Sequence, residues 1–433
     1  MQEQLKRSIG VFGLAAAVIN MTIGTGIFVL PALAAEKMGA AALLAFLICG
    51  VLIFLIAMCF AEVGSRFDIS GGPYTYIEFA FGKYAGFLAN ITFLTSCVLA
   101  DAGAAKAVAK TLSFFWPLLD TPVVQRIFFI LLFGILALIN IRGAQQGMRF
   151  VVISTIAKLI PLLLVVALGM GKINLHNLEW QLNFGLNETG STVLLLFIAF
   201  VGMETAVSNG GEFKNPSRTV PLGVLSGLLI VLLLYIIIQL ITQGVMGAEL
   251  IKVKEAPIAA LAEQLMGKIG LTITVIGSSV SMIGLISGEV LSIPRILYAG
   301  ARDGLLPGFL FKVHTKFATP HYAILVYTAI GCTLAITGGL QQLLILSSAT
   351  IMLIHLGVIL ALIKFRKQSA PQPGFKVPGG LFIPVLACIA IIWVLSNLTT
   401  KEILGMLLAL CIISCIYVLS LRLQKQNRLD KRR

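Results

Sequence analysis

The chain has 433 residues, of which 58% are hydrophobic and 12% are charged, and its mean hydropathy is +1.00. Soluble domains carry about 25% charged residues, so this composition excludes a soluble protein and predicts a polytopic membrane protein. A formal net charge of +14 is typical of nucleic-acid binders, but the distribution of the basic residues along the chain explains it differently.

Twelve apolar runs are long enough to cross a membrane as helices, which takes about 20 residues each. In chain order they cover 10–36, 39–64, 84–116, 122–141, 149–171, 191–212, 219–246, 267–298, 319–338, 341–363, 379–399 and 402–421. The first run is too long for a secretory signal and lacks a small-residue cleavage site. The sequence therefore predicts an all-α fold with 12 transmembrane helices.

The basic residues indicate how these helices are oriented. With the N-terminus in the cytoplasm, the inner loops and the C-terminal tail hold 22 of the 32 Lys and Arg residues, and nine lie outside or at outer helix ends. Cytoplasmic loops carry the excess of basic residues in membrane proteins, so both termini are predicted to be cytoplasmic, in a cell-membrane protein. The net charge is then a topology signal, and no nucleic-acid partner is expected.

The seven cysteines do not have the spacing of a disulfide framework or a metal site. They lie inside apolar runs without paired spacing, at positions 49, 59, 97, 332, 388, 411 and 415. This pattern predicts small core residues, without a disulfide, a metal or a cofactor.

Two of the runs contain glycines where a helix should be continuous. The first reads INMTIGTGIFVLPALAAE over 19–36, with Gly24-Thr25-Gly26 at its centre, and the sixth has Gly202 followed by 208–211. A broken backbone survives in lipid only where protein, water or a ligand satisfies its polar groups. Close helix packing is one explanation. If runs one to five and six to ten form an inverted repeat, however, the broken runs correspond, which points to the midplane site of a secondary transporter.

Several motifs then carry a resemblance. They are GTGIF in run one, SGGPYTYIEFAFG before run three, FVGMETA and EFKNPSRTVP across run six, and PRILYAGARDGLLP after run eight, followed by TP at 319–320. These motifs follow one another in this order over residues 10–365. With them, the chain resembles the amino acid–polyamine–organocation transporter superfamily. The resemblance implies a five-plus-five inverted repeat, with 1–171 and 172–365 as repeats and 366–433 as two accessory helices and a basic tail. It also implies alternating-access transport of L-amino acids, by antiport or proton-coupled uptake.

The resemblance places the substrate at the two breaks. The outer half of helix one begins there, with unpaired N–H groups and the positive end of its dipole, which suits an α-carboxylate. The residues that it implies for the carboxylate are Thr25, Gly26 and Ile27, through their N–H groups. Those implied for the α-ammonium are Thr22, Ile198 and Val201, through their carbonyls, and Ile23 and Gly24 complete the first break.

Two charged residues inside the runs are expected to act in coupling or gating, because burying a charge at membrane depth is costly. Lys158 is about ten residues from Arg149, which argues against simple snorkelling to the membrane surface. Sodium-independent relatives place a lysine here, near broken helix one, and it could also carry a coupled proton. Glu204 matches an acidic residue of the family's helix six, and could tie the unwound segment to its neighbours or respond to protonation.

Two further carboxyls are implied to line the substrate pocket by resemblance, Asp101 in run three and Glu289 in run eight. Together they favour a cationic side chain, although either could be paired internally; Arg295 is poorly spaced to pair with Glu289. His355 is expected to be a satisfied core histidine, in preference to a proton relay. Residues 71–83 are expected to form an inner scaffold, with docking on the membrane surface as the alternative.

Other functions are less well supported by the sequence. No Walker A motif, His-Glu-x-x-His or Gly-x-Ser-x-Gly is present, which disfavours ATP-driven transport and hydrolytic chemistry. A channel would need a continuous hydrated path, and a non-transporting amino acid sensor is a third possibility. Within the same fold, an exchanger of neutral amino acids or polyamines is the alternative. The expected partners are an amino acid, membrane lipid and protons.

Overall fold

The structure, a computed structural model, describes residues 9–67, 72–142, 158–180, 185–207, 213–254, 256–302, 305–317, 319–367 and 374–430. Within these ranges the regular secondary structure is helical and contains no strand, with one isolated bridge between Ile9 and Phe213. The prediction of an all-α fold is therefore confirmed for the described residues.

Sixteen α-helices are described in these ranges. In chain order they are α1 (Val11–Thr22), α2 (Gly26–Met38), α3 (Ala42–Arg66), α4 (Pro73–Phe81), α5 (Lys83–Leu112), α6 (Pro122–Arg142), α7 (158–169), α8 (Leu186–Phe197), α9 (Met203–Val207), α10 (Pro216–Met246), α11 (Pro257–Ser292), α12 (Pro294–Arg302), α13 (His321–Thr337), α14 (Leu340–Lys367), α15 (Phe382–Leu395) and α16 (Thr400–Asp430).

Proline and glycine set several of these boundaries. Helices α4, α6, α10, α11 and α12 begin at a proline, whose fixed φ suits a first helical residue and whose missing N–H is not needed there. Helix α10 ends before Gly247, whose φ is +53°, a conformation that glycine adopts without strain. Gly267, with φ +65°, interrupts α11 at the residue where the eighth apolar run was predicted to begin.

Seven helical stretches in the described ranges are long and apolar enough to cross a membrane, and the longest is Pro257–Arg302. Four shorter apolar helices accompany them, Val11–Thr22, Leu186–Phe200, His321–Thr337 and Phe382–Leu395. Each of the 12 predicted runs overlaps at least one of the 16 helices. The number of membrane crossings remains a prediction.

The chain divides into two compact units. The first unit comprises Met1–Ala89, Leu159–Thr274 and Ile351–Leu398, and the second comprises Asn90–Lys158, Val275–Thr350 and Thr399–Arg433. In the first unit, α10 packs against α1 and α3, and α8 packs against α2 and α3. In the second, α13 packs against α6 and α12. This division is one of packing, so the predicted sequential repeats remain a separate prediction.

A buried carboxylate holds one end of the first unit together. Glu62 near the end of α3 is fully buried, and it accepts hydrogen bonds from the side chains of Arg66 and Arg366 and, at 2.8 Å, from the N–H of Val377. Arg366 also donates to the carbonyl of Gly380. Glu62 therefore ties the end of α14 and the segment before α15 to α3.

Helix α4 belongs to the first unit and packs against the rest of it through one face. Tyr76 and Ile77 are buried, and Phe67 stacks on Tyr76 and Phe79. Phe79 is nevertheless 62% exposed. Helix α4 is thus buried on one face and exposed on the other, and its predicted role as an inner scaffold stays a prediction.

The prediction that every cysteine is a core residue is wrong for two of them. Cys49, Cys59 and Cys97 are buried, but Cys411 and Cys415 are exposed on α16. In a membrane protein an apolar side chain can face lipid as readily as a core, so burial does not follow from an apolar neighbourhood.

Candidate functional site

The first predicted helix interruption is present. Helix α1 ends at Thr22 and α2 begins at Gly26, and Gly24 lies between them in non-helical backbone. Thr25, which precedes α2, makes no side-chain capping bond. In the first turn of α2, the N–H of Phe28 donates to the carbonyl of Thr25 at 3.2 Å, and the N–H groups of Gly26 and Ile27 precede the first regular helical hydrogen bond.

The second interruption is also present. Helix α8 is followed by a 3-10 turn, Ile198–Phe200, and then by Val201 in an extended conformation. Gly202 has φ +140°, which an L side chain rarely adopts, and α9 begins immediately after it. The other part of the predicted interruption, 208–211, lies outside the described residues.

The two breaks pack directly on each other within the first unit. A Cβ at Gly202 would lie 2.6 Å from the backbone carbon of Met21 and 2.8 Å from the nitrogen of Thr22. A Cβ at Gly26 would lie 2.5 Å from Cβ of Ala199. The glycines therefore allow backbone to approach backbone, which explains why both runs carry them at these positions.

Tyr235 of α10 joins the two breaks, and the sequence analysis missed it. Its buried hydroxyl lies 3.0 Å from the carbonyl oxygen of Thr22 and 3.0 Å from that of Ala199. The available signal was a lone phenol within the aliphatic stretch VLLLYIII, because a buried hydroxyl needs a partner in a membrane interior.

Several buried polar atoms at the first break, and one turn along α10 from Tyr235, have no hydrogen-bond partner among the described residues. They are the hydroxyls of Thr22 and Thr25 and both amide atoms of Gln239, all of them buried. Gln239 follows Tyr235 by four positions on α10, so the two side chains leave the same face of that helix. Buried polar groups without a partner are costly, so this region is equipped to hydrogen-bond a water or a polar ligand.

Glu204 ties the second break to the rest of the first unit. One carboxyl oxygen, Oε2, accepts from the N–H of Gly202 at 2.7 Å, and the other, Oε1, is hydrogen-bonded to Nε2 of His355 on α14. Both side chains are fully buried. His355 is thus buried and hydrogen-bonded, but the sequence analysis did not identify its partner.

Asp101 and Glu289 meet in the second unit around one phenol. The hydroxyl of Tyr327 on α13 donates to Oδ2 of Asp101 at 2.9 Å, and it lies 3.5 Å from Oε2 of Glu289. Asp101 is fully buried, and its Oδ1 has no hydrogen-bond partner among the described residues. Arg295 instead donates to the carbonyl of Leu291.

Lys158 is the first described residue of α7 and is buried, with 4% of its surface exposed. It belongs to the second unit, as Asp101 and Glu289 do, whereas both breaks and Glu204 belong to the first. Among the described residues, no three His, Cys, Asp or Glu side chains come together in an arrangement that could hold a metal ion.

Comparison with known proteins finds a family model that covers most of the chain. The model of the family described as "Amino acid permease" matches residues 9–421. The serine/threonine exchanger SteT of Bacillus subtilis is 29% identical over 404 residues, covering 91% of each chain. The branched-chain amino acid permease BcaP of the same species is 27% identical over 453 residues, covering 99% of this chain and 96% of its own. A methylthioribose transporter of that species is 26% identical with the same coverage.

Proposed function

The chain belongs to the amino acid permease family, and on that premise we propose that it is a secondary active transporter that moves L-amino acids across the cell membrane by alternating access. The observation that carries the proposal is the packing of two helix breaks on each other, with the Tyr235 hydroxyl between their carbonyls. Helix breaks at corresponding positions of two repeats are where secondary transporters bind substrate.

The proposed topology supports the same function. The 12 predicted runs form 12 crossings, with 1–171 and 172–365 as inverted repeats and both termini in the cytoplasm. The basic residues of the inner loops and the tail support this orientation. On this topology Glu62 and its partners Arg66, Arg366 and Val377 (the Glu62 cluster) lie on the cytoplasmic side.

The backbone of the breaks recognises the part that all amino acids share. The α-carboxylate accepts from the N–H groups of Thr25, Gly26 and Ile27, at the positive end of the α2 dipole. The α-ammonium donates to the carbonyls of Thr22, Ile198 and Val201. The hydroxyl of Thr25 has no partner in the part of the chain that the structure describes, and it supports this assignment because it adds a donor at the same turn.

The selectivity for the side chain is proposed to involve Asp101 and Glu289. A cationic substrate would form charge-assisted hydrogen bonds with these carboxyls. The competing candidate, transport of neutral amino acids, is favoured by Tyr327, which already donates to Asp101. Two relatives are also named for neutral substrates, serine and threonine or branched-chain amino acids.

The coupling is proposed to be independent of sodium, with the ammonium of Lys158 taking the place that a sodium ion holds in coupled relatives. Glu204 is proposed to act in gating. Proton symport and amino acid exchange both remain candidates, and they differ in whether a pH gradient alone drives accumulation.

A screen in proteoliposomes tests the function. Vesicles preloaded with serine, leucine or lysine are given the labelled amino acid, with and without an imposed pH gradient, and unlabelled methylthioribose serves as a competitor. A transporter gives saturable uptake that depends on the preloaded substrate or on the gradient. Uptake that does not saturate, with ionic conductance, would indicate a channel, and tight binding without uptake would indicate a sensor.

A further inference from the structure

Glu204 and His355 form a buried pair in which each carboxyl oxygen of Glu204 has a different hydrogen-bond partner. Oε2 holds the N–H of Gly202 at 2.7 Å, and Oε1 is held by Nε2 of His355. All of these groups lie in the first unit. The pair therefore connects the backbone of the second break to α14.

The surroundings of His355 define which nitrogen carries its proton. A carboxylate oxygen can only accept, so Nε2 is the donor. Nδ1 has no partner among the described residues, and the ring packs edge-on against Phe60 and Phe197, with centroid distances of 5.1 Å and 5.5 Å. Nε2 is therefore the ring nitrogen through which His355 meets a polar partner among the described residues.

The N–H that Glu204 holds also fixes a carbonyl. The N–H of Gly202 and the C=O of Val201 belong to one planar trans peptide, so they point in opposite directions. Gly202 has φ +140° and lies against the backbone of Met21. Holding its N–H towards Glu204 therefore directs the Val201 carbonyl away from that carboxylate.

We infer that His355 is a positioning residue: acting through Glu204, it fixes the plane of the Val201–Gly202 peptide and hence the direction of the Val201 carbonyl. Its importance for transport rests on the proposed function, in which this carbonyl accepts from the substrate's ammonium. His355 itself contacts Glu204 and two phenylalanine rings, so it acts at one remove from the substrate.

Three variants separate the hydrogen bond from the packing. His355→Phe keeps an aromatic ring and loses the donor, whereas His355→Gln loses the ring and keeps an N–H donor at a similar reach. Phe60→Leu disturbs the packing around the ring and leaves the donor in place, so it serves as the matched control. His355→Asn, whose amide is too short to reach Glu204, replaces His355→Phe if that variant does not fold.

Two measurements are made on each variant. Hydrogen–deuterium exchange in peptides covering 198–207 reports on the break without any substrate, and amino acid uptake gives KM and maximal rate. We expect His355→Phe to accelerate exchange there and to raise KM, each about tenfold, the factor that corresponds to about 1.4 kcal/mol. His355→Gln should stay within roughly threefold of wild type, as expected for a retained hydrogen bond to a charged group.

The outcomes are distinguishable. Unchanged exchange in His355→Phe, or an equal effect of Phe60→Leu, would overturn the positioning role whatever the substrate is. Accelerated exchange with only the maximal rate altered would overturn the link to the Val201 carbonyl. If exchange responds as expected but the wild type takes up no amino acid, the positioning role stands and the proposed function fails.

Discussion

Gly26 and Ala199 face each other across the two helix breaks, so closely that a Cβ on Gly26 would lie 2.5 Å from Cβ and 2.6 Å from Cα of Ala199. The sequence suggested that Gly26 is small so that a ligand can reach the backbone. The structure supplies an additional reason, since a side chain at Gly26 would push the second break away from the first.

Gly26→Ala is therefore expected to abolish or strongly reduce amino acid uptake, as the larger Gly26→Val would. Ala199→Gly should restore it only in part, because the Cα of residue 199 remains in the way. Gly134→Ala on α6 is the control, since a Cβ there meets nothing within 4 Å. Uptake by Gly26→Ala at the rate of the Gly134→Ala control would show that the breaks do not pack as described.

Tyr235→Phe is expected to weaken substrate binding up to about tenfold, because the hydroxyl no longer holds the carbonyls of the two breaks in place before substrate arrives. One neutral hydrogen bond is typically worth about 0.5–1.5 kcal/mol, which sets the upper limit of this effect. The hydroxyl contacts the carbonyls of Thr22 and Ala199 at the proposed binding site, so its removal should raise KM. Tyr322→Phe on α13, where the side chain is 40% exposed, serves as the control. Equal KM values for the two variants would contradict a role for the Tyr235 hydroxyl.

Glu62→Gln is expected to lower the thermal stability of the detergent-solubilised protein. Removing one partner of a buried ion pair typically costs about 3–5 kcal/mol, and here two arginines and the N–H of Val377 share the carboxylate. Glu249→Gln removes an exposed pair with Lys252 and should leave the melting temperature nearly unchanged. Similar melting curves for both variants would mean that the Glu62 cluster does not stabilise the fold.

Glu289→Gln and Asp101→Asn are each expected to weaken uptake of lysine or arginine about ten- to a hundredfold, the effect of losing a hydrogen bond to a charged group. Uptake of alanine or leucine should change much less. Equal losses for both classes would indicate that the two carboxyls stabilise the fold through Tyr327 and do not select the substrate side chain. A wild type that takes up only neutral amino acids would reject the cationic preference and leave the transporter proposal intact.

Replacing sodium by choline at fixed pH and membrane potential is expected to leave uptake unchanged. The proposed reason is that the ammonium of Lys158 supplies the positive charge that sodium supplies in coupled relatives. Lys158→Ala should abolish uptake in both media. A steep dependence of wild-type uptake on sodium would contradict this assignment.

The helix boundaries were largely predictable from sequence. The run 122–141 corresponds to α6 and the run 319–338 to α13, with shifts of at most two residues. A proline, a glycine or a charged residue interrupts the apolar pattern at each of these ends. Both helix breaks were predictable for the related reason that glycine is costly inside a helix.

The buried pairings were not predictable in the same way. Glu204 and His355 are 151 residues apart, and Glu62 and Arg366 are 304 residues apart. Periodicity and motifs describe neighbours along the chain, whereas these partners meet only when distant helices pack. A fully buried charge such as Glu62 does signal that a partner exists, but not which one.

The hydroxyl of Tyr235 has one hydrogen and lies 3.0 Å from each of two carbonyl oxygens. It can satisfy only one of them fully at any moment, so in the proposed binding mode the hydroxyl keeps the carbonyl of Ala199 when the ammonium of the substrate takes that of Thr22. The occupied and empty carriers can therefore contain the same number of bonds to this tyrosine. Such redundancy keeps loading and unloading close in free energy, which a carrier needs in order to release what it has bound on the far side of the membrane.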